Sequence, residues 1–179
     1  LMGREPLRLT ARDFQLSSAA FSRGWEHRRL SALYTLSREK KPVVVATVDA
    51  LMQRTIPPEV LKAAALSLQV GGKAEPQTIA EQLTAAGYTR CEQVEGVGQF
   101  ALRGGILDVF SPMMDQPVRC EFFDDEIDSC GLFDTATQRR VKNIKSALIL
   151  PASEFLPAFA PGGVEGLWQA MEKQADKDK

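Results

Sequence analysis

Apolar and polar residues alternate along three successive runs between Gly98 and Phe133, GQFALRGGILDVFSPMMDQPVRCEFFDDEIDSCGLF. A period of two is the mark of strands that bury one face. In the run from Val118 to Phe123, the pattern predicts Val118, Cys120 and Phe122 toward a core and Arg119, Glu121 and Phe123 away from it. In the run before it, Phe100 and Leu102 face inward, leaving Ala101 and Arg103 outward. Gly104-Gly105 interrupts the alternation, and a bulge or bend there would return Ile106, Leu107 and Val109 to the core. The three runs predict a small antiparallel sheet whose outer side carries Arg103, Arg119, Glu121 and Phe123. Arginine, carboxylate and ring in a row are the composition of an interface anchor.

The periodicity differs on either side. Ser22 to Lys40 has helical spacing, with Trp25, Ala32, Leu33 and Leu36 on one side and Glu26, Arg28 and Arg38 elsewhere. Pro42 to Val48 is a continuous apolar run, as expected of a parallel strand covered on both faces. Asp49 is the expected N-cap of a short helix, with Pro57-Pro58 at its end. Strand, short connection and helix are the grammar of an α/β half. From Leu66 the pattern changes: Leu66, Leu68 and Val70 alternate with Ser67 and Gln69, and Gly71-Gly72 ends that strand. Pro76 to Ala86 is predicted helical, with Ile79, Leu83 and Ala86 as its stripe and Gly87 at its C-terminus. Tyr88 to Val94 is extended; after the three runs come a loop and a strand at Ala147–Leu150, ahead of Pro151. Val164, Leu167, Trp168 and Met171 return to helical spacing.

The predicted fold class is therefore α/β plus α+β. Residues 1–63 form the first part of an α/β domain, 64–148 an antiparallel α+β unit inserted into it, and 149–179 the return to the α/β part.

Composition narrows the function. Hydrophobic residues at 44% and charged residues at 25% describe a globular chain, and no apolar run approaches the roughly 20 residues of a membrane helix. No signal-peptide pattern opens the chain. The start at Leu1 and the stop inside the helical pattern AMEKQADKDK lead us to expect a piece of a longer protein. A net charge of −1 exerts no global pull on nucleic acid. Cys91, Cys120 and Cys130 lack paired metal spacing and read as buried thiols of a reducing, cytoplasmic compartment.

Candidate chemistry is sparse. Asp124-Asp125-Glu126-Ile127-Asp128 offers four carboxylates, but without calcium-loop spacing it reads as a turn between strands. Asp108 with Glu121 lacks the lysine of a two-carboxylate nuclease centre, since Phe123 stands in its place. His27, the only histidine, reads as a surface helix residue. No GxxxxGK[ST] or GxGxxG is present, so no cofactor and no ATP turnover are expected.

Longer stretches carry a resemblance. F-A-L-R-G-G-I-L-D-V-F at Phe100–Phe110, P-V-R-C-E-F-F-D-D-E-I-D-S at Pro117–Ser129 and L-F-D-T-A-T-Q-R at Leu132–Arg139 resemble the UvrB-homology module of the bacterial transcription-repair coupling factors (Mfd). The excision-repair helicase UvrB carries a related module. The resemblance extends to V-A-T-V-D-A-L-M-Q-R-T-I-P-P at Val45–Pro58 and L-I-L-P-A-S-E-F at Leu148–Phe155, and so covers nearly the whole chain. It implies a degenerate helicase-like α/β domain without nucleotide motifs, holding an inserted domain that docks on UvrA. It also implies a parent protein that acts on stalled RNA polymerase and double-stranded DNA through a motor absent here. Transferred position by position, the UvrA-contacting residues fall on Arg103, Arg119, Glu121 and Phe123, while UvrB has a further arginine where this chain has Ala101.

The expected function is therefore a non-catalytic docking module for UvrA. In this reading Arg103 and Arg119 supply forked donors, Glu121 positions an arginine or meets a partner cation, and Phe123 fills an apolar pocket. The alternative is a sequence-independent DNA-binding module using the strip Arg139, Arg140, Lys142 and Lys145.

Overall fold

A computed structural model describes residues 6–12, 24–38 and 42–177. Strand β1 (Leu7–Leu9), helix α1 (Gly24–Arg38), strand β2 (Val44–Ala46) and helices α2 (Val48–Met52) and α3 (Pro58–Ala63) come first. The expected helix over Ser22 to Lys40 is present between Gly24 and Arg38, and Ser22, Arg23, Glu39 and Lys40 lie outside the described residues. Strands β1 and β2 pair in parallel. The two-faced burial expected of β2 is not observed: Val44 and Val45 are exposed, the latter at 57%. Thr47, not Asp49, caps α2, its Oγ1 accepting from the Ala50 amide at 3.2 Å. Asp49 lies in the first turn instead. Pro57-Pro58 does not end a helix but opens α3, because a proline at the first helical position gives up no bonded amide.

Strand β3 (Leu66–Gln69) leads into helix α4 (Pro76–Ala85). Pro76 opens α4, and Gly87 ends it at φ +85°. The Gly87 amide bonds to Thr84 O and the Tyr88 amide to Leu83 O, the double bond of a Schellman end. Then come β4 (Thr89–Arg90), β5 (Gln99–Arg103), β6 (Ile106–Val109), β7 (Val118–Phe123), β8 (Glu126–Phe133) and β9 (Arg140–Ile144). These six form one sheet in sequence order, with β4–β5 parallel and the remaining pairs antiparallel. The region read as three runs and a loop thus holds five strands; β9 is the part expected to be loop. Its Arg-Val-Lys-Asn-Ile pattern carries too little apolar surface to announce a strand, and it forms at the sheet's edge. Strand β10 (Ser146–Ile149) leaves the large sheet to pair antiparallel with β3, and helix α5 (Gly163–Lys177) follows.

The main core lies between one face of the six-stranded sheet, α4 and the β3–β10 pair. Phe100, Leu107, Val109, Val118, Cys120 and Cys130 meet Ile79, Leu83, Leu68 and Ile149 there. A second cluster joins α1 through Leu30 and Tyr34 to Leu61, Leu150 and Leu156. Burying each such leucine is worth about 1.5–3 kcal/mol. The molecule is accordingly a mixed α/β structure built from small sheets.

Helix α1 is not amphipathic in the expected way. Glu26, Arg29 and His27 are buried, His27 at 7% exposure, so this histidine is not a surface residue. The Glu26 carboxylate accepts from Ser153 Oγ and the Glu154 amide, and Arg29 meets Glu154 at 2.6 Å. Polar pairing across 127 residues of sequence therefore fixes α1 where an apolar stripe alone would not. Among the described residues no helix is long and apolar enough to cross a membrane.

Candidate functional site

The opposite face of the sheet is built by strand register. Ala101, Asp108, Arg119 and Gly131 stand in one row across β5 to β8, and Arg103, Ile106, Glu121 and Ser129 in the next. Two tight turns shape its edge. Gly104-Gly105 joins β5 directly to β6, with Gly104 at φ +58°, so the pair makes a two-residue hairpin rather than a bulge. Alternation therefore resumes with Ile106 on the outer face, 38% exposed, and only Leu107 and Val109 enter the main core. Asp124-Asp125 turns β7 into β8, which is the backbone role expected of that acidic run, with Asp124 at φ +57°. Asp128 is the extra residue of a bulge in β8. Phe123 sits beside this turn at 81% exposure.

The buried carboxylate of Asp108 organises the arginines. Arg119 Nε and Nη2 donate to its two oxygens at 2.7 and 2.8 Å, a bidentate fork. Arg103 Nη2 donates to Asp108 Oδ2 at 2.8 Å, and Arg103 Nη1 to Glu92 O at 3.0 Å. Arg119 also donates to Gln138 O and lies 4.5 Å over the Phe133 ring. The hydrogen bonds to Asp108 raise the Arg119 pKa further, against a smaller opposing effect of burial. Beneath this cluster Val94, Ala101 and Phe133 form a small apolar floor. Ala101 is thus on the predicted face yet fully buried, covered by its neighbours rather than open to a partner.

Glu121 belongs to a separate pair. Arg140 Nη2 donates to its Oε1 at 2.8 Å and to Ser129 Oγ at 3.0 Å, and Ser129 Oγ donates to Glu121 Oε2. To reach it, the Arg140 side chain crosses the backbone of Gly131, where a Cβ would stand 2.8 Å from Arg140 Cδ and Nε. Glu121 therefore positions neither Arg103 nor Arg119. The basic strip also divides: a bulge at Val141 places Arg140 opposite Phe133 on the outer face and Lys142 opposite Leu132 on the core face.

The four sequence-predicted residues lie on one face with unequal freedom: Arg103 and Arg119 share the Asp108 network, Glu121 belongs to the Arg140 pair, and Phe123 to neither. The Arg103 side chain is 48% exposed and the Arg119 side chain 17%. Arg119 has most of its donors already engaged, so it acts chiefly as part of the scaffold, whereas Arg103 keeps an outward edge. On sequence alone three neighbours of these residues hold other places: Asp108 reads as half of a rejected nuclease centre, Ile106 as a core residue and Arg140 as part of a basic strip. The signal for Asp108 was present: a carboxylate among Leu107, Val109 and Phe110 must either leave the core or find a cation. Among the described residues no cluster of histidine, cysteine and carboxylates is arranged to hold a metal.

Comparison with known proteins gives a consistent result. Residues 66–155 match the family described as the UvrB interaction domain. The chain is 43% identical over 127 residues to the transcription-repair-coupling factor of Haemophilus influenzae, covering 71% of this chain and 11% of that protein. It is 36% identical over 158 residues to that of Bacillus subtilis, covering 84% and 13%, and 39% identical over 127 residues to that of Escherichia coli, covering 71% and 11%. The chain therefore spans between 11% and 13% of the length of these relatives.

Proposed function

The chain belongs to the UvrB interaction domain family, in the form resembling the UvrB-homology module of transcription-repair-coupling factors, and from that premise we propose that it is a non-catalytic module that docks on UvrA. Within a parent protein of the coupling-factor kind it would bring nucleotide excision repair to RNA polymerase stalled on DNA, the ATP-driven motor lying elsewhere in that parent. Residues 64–148 are the docking unit, inserted into a degenerate helicase-like α/β domain made of residues 1–63 and 149–179. The parallel β1–β2 pair and the ladder in which Ile149 meets Leu66 support this division, since the unit leaves and re-enters at one place.

One observation carries the reading. The outer sheet face joins a nearly free phenylalanine, Phe123, to Arg103, Ile106 and Glu121, with the arginines held in place by Asp108 before any partner arrives. An exposed ring on the same face as charges already held in place suits an interface anchor, because the arginines have little side-chain freedom left to lose on binding. The DNA-binding alternative loses support from the division of the basic strip and from the engagement of Arg140 with Glu121. The test is equilibrium binding of the purified chain to UvrA, with Phe123→Ala and Arg103→Ala as variants. Unaltered affinity in both, with folding retained, would overturn the assignment.

A further inference from the structure

Cys120 and Cys130 stand directly opposite each other on β7 and β8, and their sulfurs are 2.9 Å apart. Both are free thiols. Facing residues of antiparallel strands have Cα atoms roughly 4.5–5.5 Å apart, inside the range of about 4.4–6.8 Å that a disulfide spans. Bond formation then requires the sulfurs to close to about 2.05 Å and the Cβ–S–S–Cβ dihedral to settle near roughly ±85–100°.

The two thiols are not equivalent. Both belong to the main core, Cys120 at 0% and Cys130 at 2% exposure, and they differ in what lies beside them. Cys130 lines an open cavity of about 430 Å³ shared with Ser129, Arg140, Asn143 and Lys145. A hydrogen bond from Cys120 and the charge of Arg140 lower the Cys130 pKa, against the opposing effect of burial. The Cys120 thiol is pushed up by the same bond and by its burial. Cys130 is therefore the member of the pair that borders an opening, with Arg140 on the same cavity, and Cys120 is placed as its resolving partner. Cys91 stands apart, beside β4 and β5, with its thiol donating to Phe100 O and its pKa raised by burial.

We propose that Cys120 and Cys130 are an oxidisable dithiol, which a peroxide entering the cavity closes into a disulfide that staples β7 to β8 beneath the charged face. The Cys130 thiolate attacks one peroxide oxygen, the O–O bond breaks, and the leaving hydroxide takes up a proton to become water. The resulting sulfenic acid is attacked by the Cys120 sulfur. The S–O bond breaks, the S–S bond forms, and the Cys120 proton leaves with the departing hydroxide as a second water. Two thiols are oxidised by two electrons and one peroxide is reduced to two waters.

The test uses the wild-type chain and a Cys91→Ser variant, which leaves the pair intact. Each is treated with hydrogen peroxide, quenched, denatured and alkylated, and its mass is measured. Alkylatable thiols fall from three to one in the wild type and from two to none in the variant, with the loss of two hydrogens. Dithiothreitol restores both counts. Cleavage at the acidic residues 124–126 leaves the Cys120 and Cys130 peptides joined until they are reduced. Persistence of both thiols, gain of oxygen without a link, or a bond formed between two chains overturns the proposal.

Discussion

Asp108 and Arg119 face each other across β6 and β7 and are joined by two parallel hydrogen bonds of 2.7 and 2.8 Å, with the carboxylate entirely inside the protein. A second guanidinium, that of Arg103, closes on the same carboxylate from β5. The charge balance of the face is thus set from below, by a group that no partner can touch.

Substitution of Asp108 is accordingly a substitution in the core. Asp108→Asn keeps the shape but removes the charge that two guanidiniums answer, and breaking one side of a buried ion pair costs about 3–5 kcal/mol. The partial exposure of both arginines places the expected loss at the lower end, about 3 kcal/mol. Urea denaturation should show a lowered midpoint with an unaltered slope. A shift of under about 0.5 kcal/mol would mean that the fork contributes little.

Phe123→Ala should separate stability from binding. The ring is nearly free of the fold, so unfolding should change by no more than about 0.5 kcal/mol. Affinity for UvrA should fall by about 2 kcal/mol or more, roughly thirtyfold, as for an anchor in a desolvated pocket. Isothermal calorimetry beside thermal melting reads both quantities.

The two arginines should behave differently. Arg103→Ala leaves Asp108 with its fork from Arg119 and should cost less than about 1 kcal/mol of stability while weakening UvrA binding. Arg119→Ala removes two bonds from a buried carboxylate and the stack on Phe133, so it should weaken both folding and binding. Equal stability of the two variants would contradict the geometry.

Tyr88 gives an alkaline signature. Burial raises its pKa above the ordinary value of 10.0, and its hydroxyl donates to Leu150 O. The folded state therefore holds this proton more tightly than the unfolded one. That contribution is complete below pH 10 and is lost as pH rises from there toward the folded pKa. Melting temperatures followed above pH 10 should fall less steeply in Tyr88→Phe than in the wild type, although the variant begins lower by about 1–3 kcal/mol because Leu150 O loses its donor.

Gly87→Ala should be among the costlier single-methyl additions. The residue sits at φ +85°, and a Cβ there would lie 2.7 Å from Ser153 Cβ. Left-handed strain of about 1–2 kcal/mol adds to the clash, so chemical denaturation should register at least about 2 kcal/mol.

The strands were legible where period two was unbroken. Val118 to Phe123 falls inward and outward as the alternation predicts, and α4 with Gly87 at its end follows from local signals. What escaped reading was set by partners distant in sequence. Glu26 is buried against Ser153 and Glu154, and the ring of His27 lies beside Gly98, partners that no helical period reveals. Ile106 was read inward because two glycines can make either a bulge or a hairpin, and the turn chosen decides the parity of the next strand. The exposure of Arg103, Glu121 and Phe123 could be read from parity, but the unequal freedom of the two arginines could not. Parity names a face and is silent about which acid beneath it has already taken the guanidinium.

The pairing of Leu66 with Ile149 has a mechanical consequence. These residues mark the same end of an antiparallel ladder, so tension applied through the chain before β3 and after β10 enters at a single neck. Beyond the bonds of Ala152 to Ala86 and of Leu150 to Tyr88, it would open the ladder one rung at a time, as a zip opens. The six-stranded sheet hangs outside that line of force, and its charged face would keep its shape while the neck was being pulled.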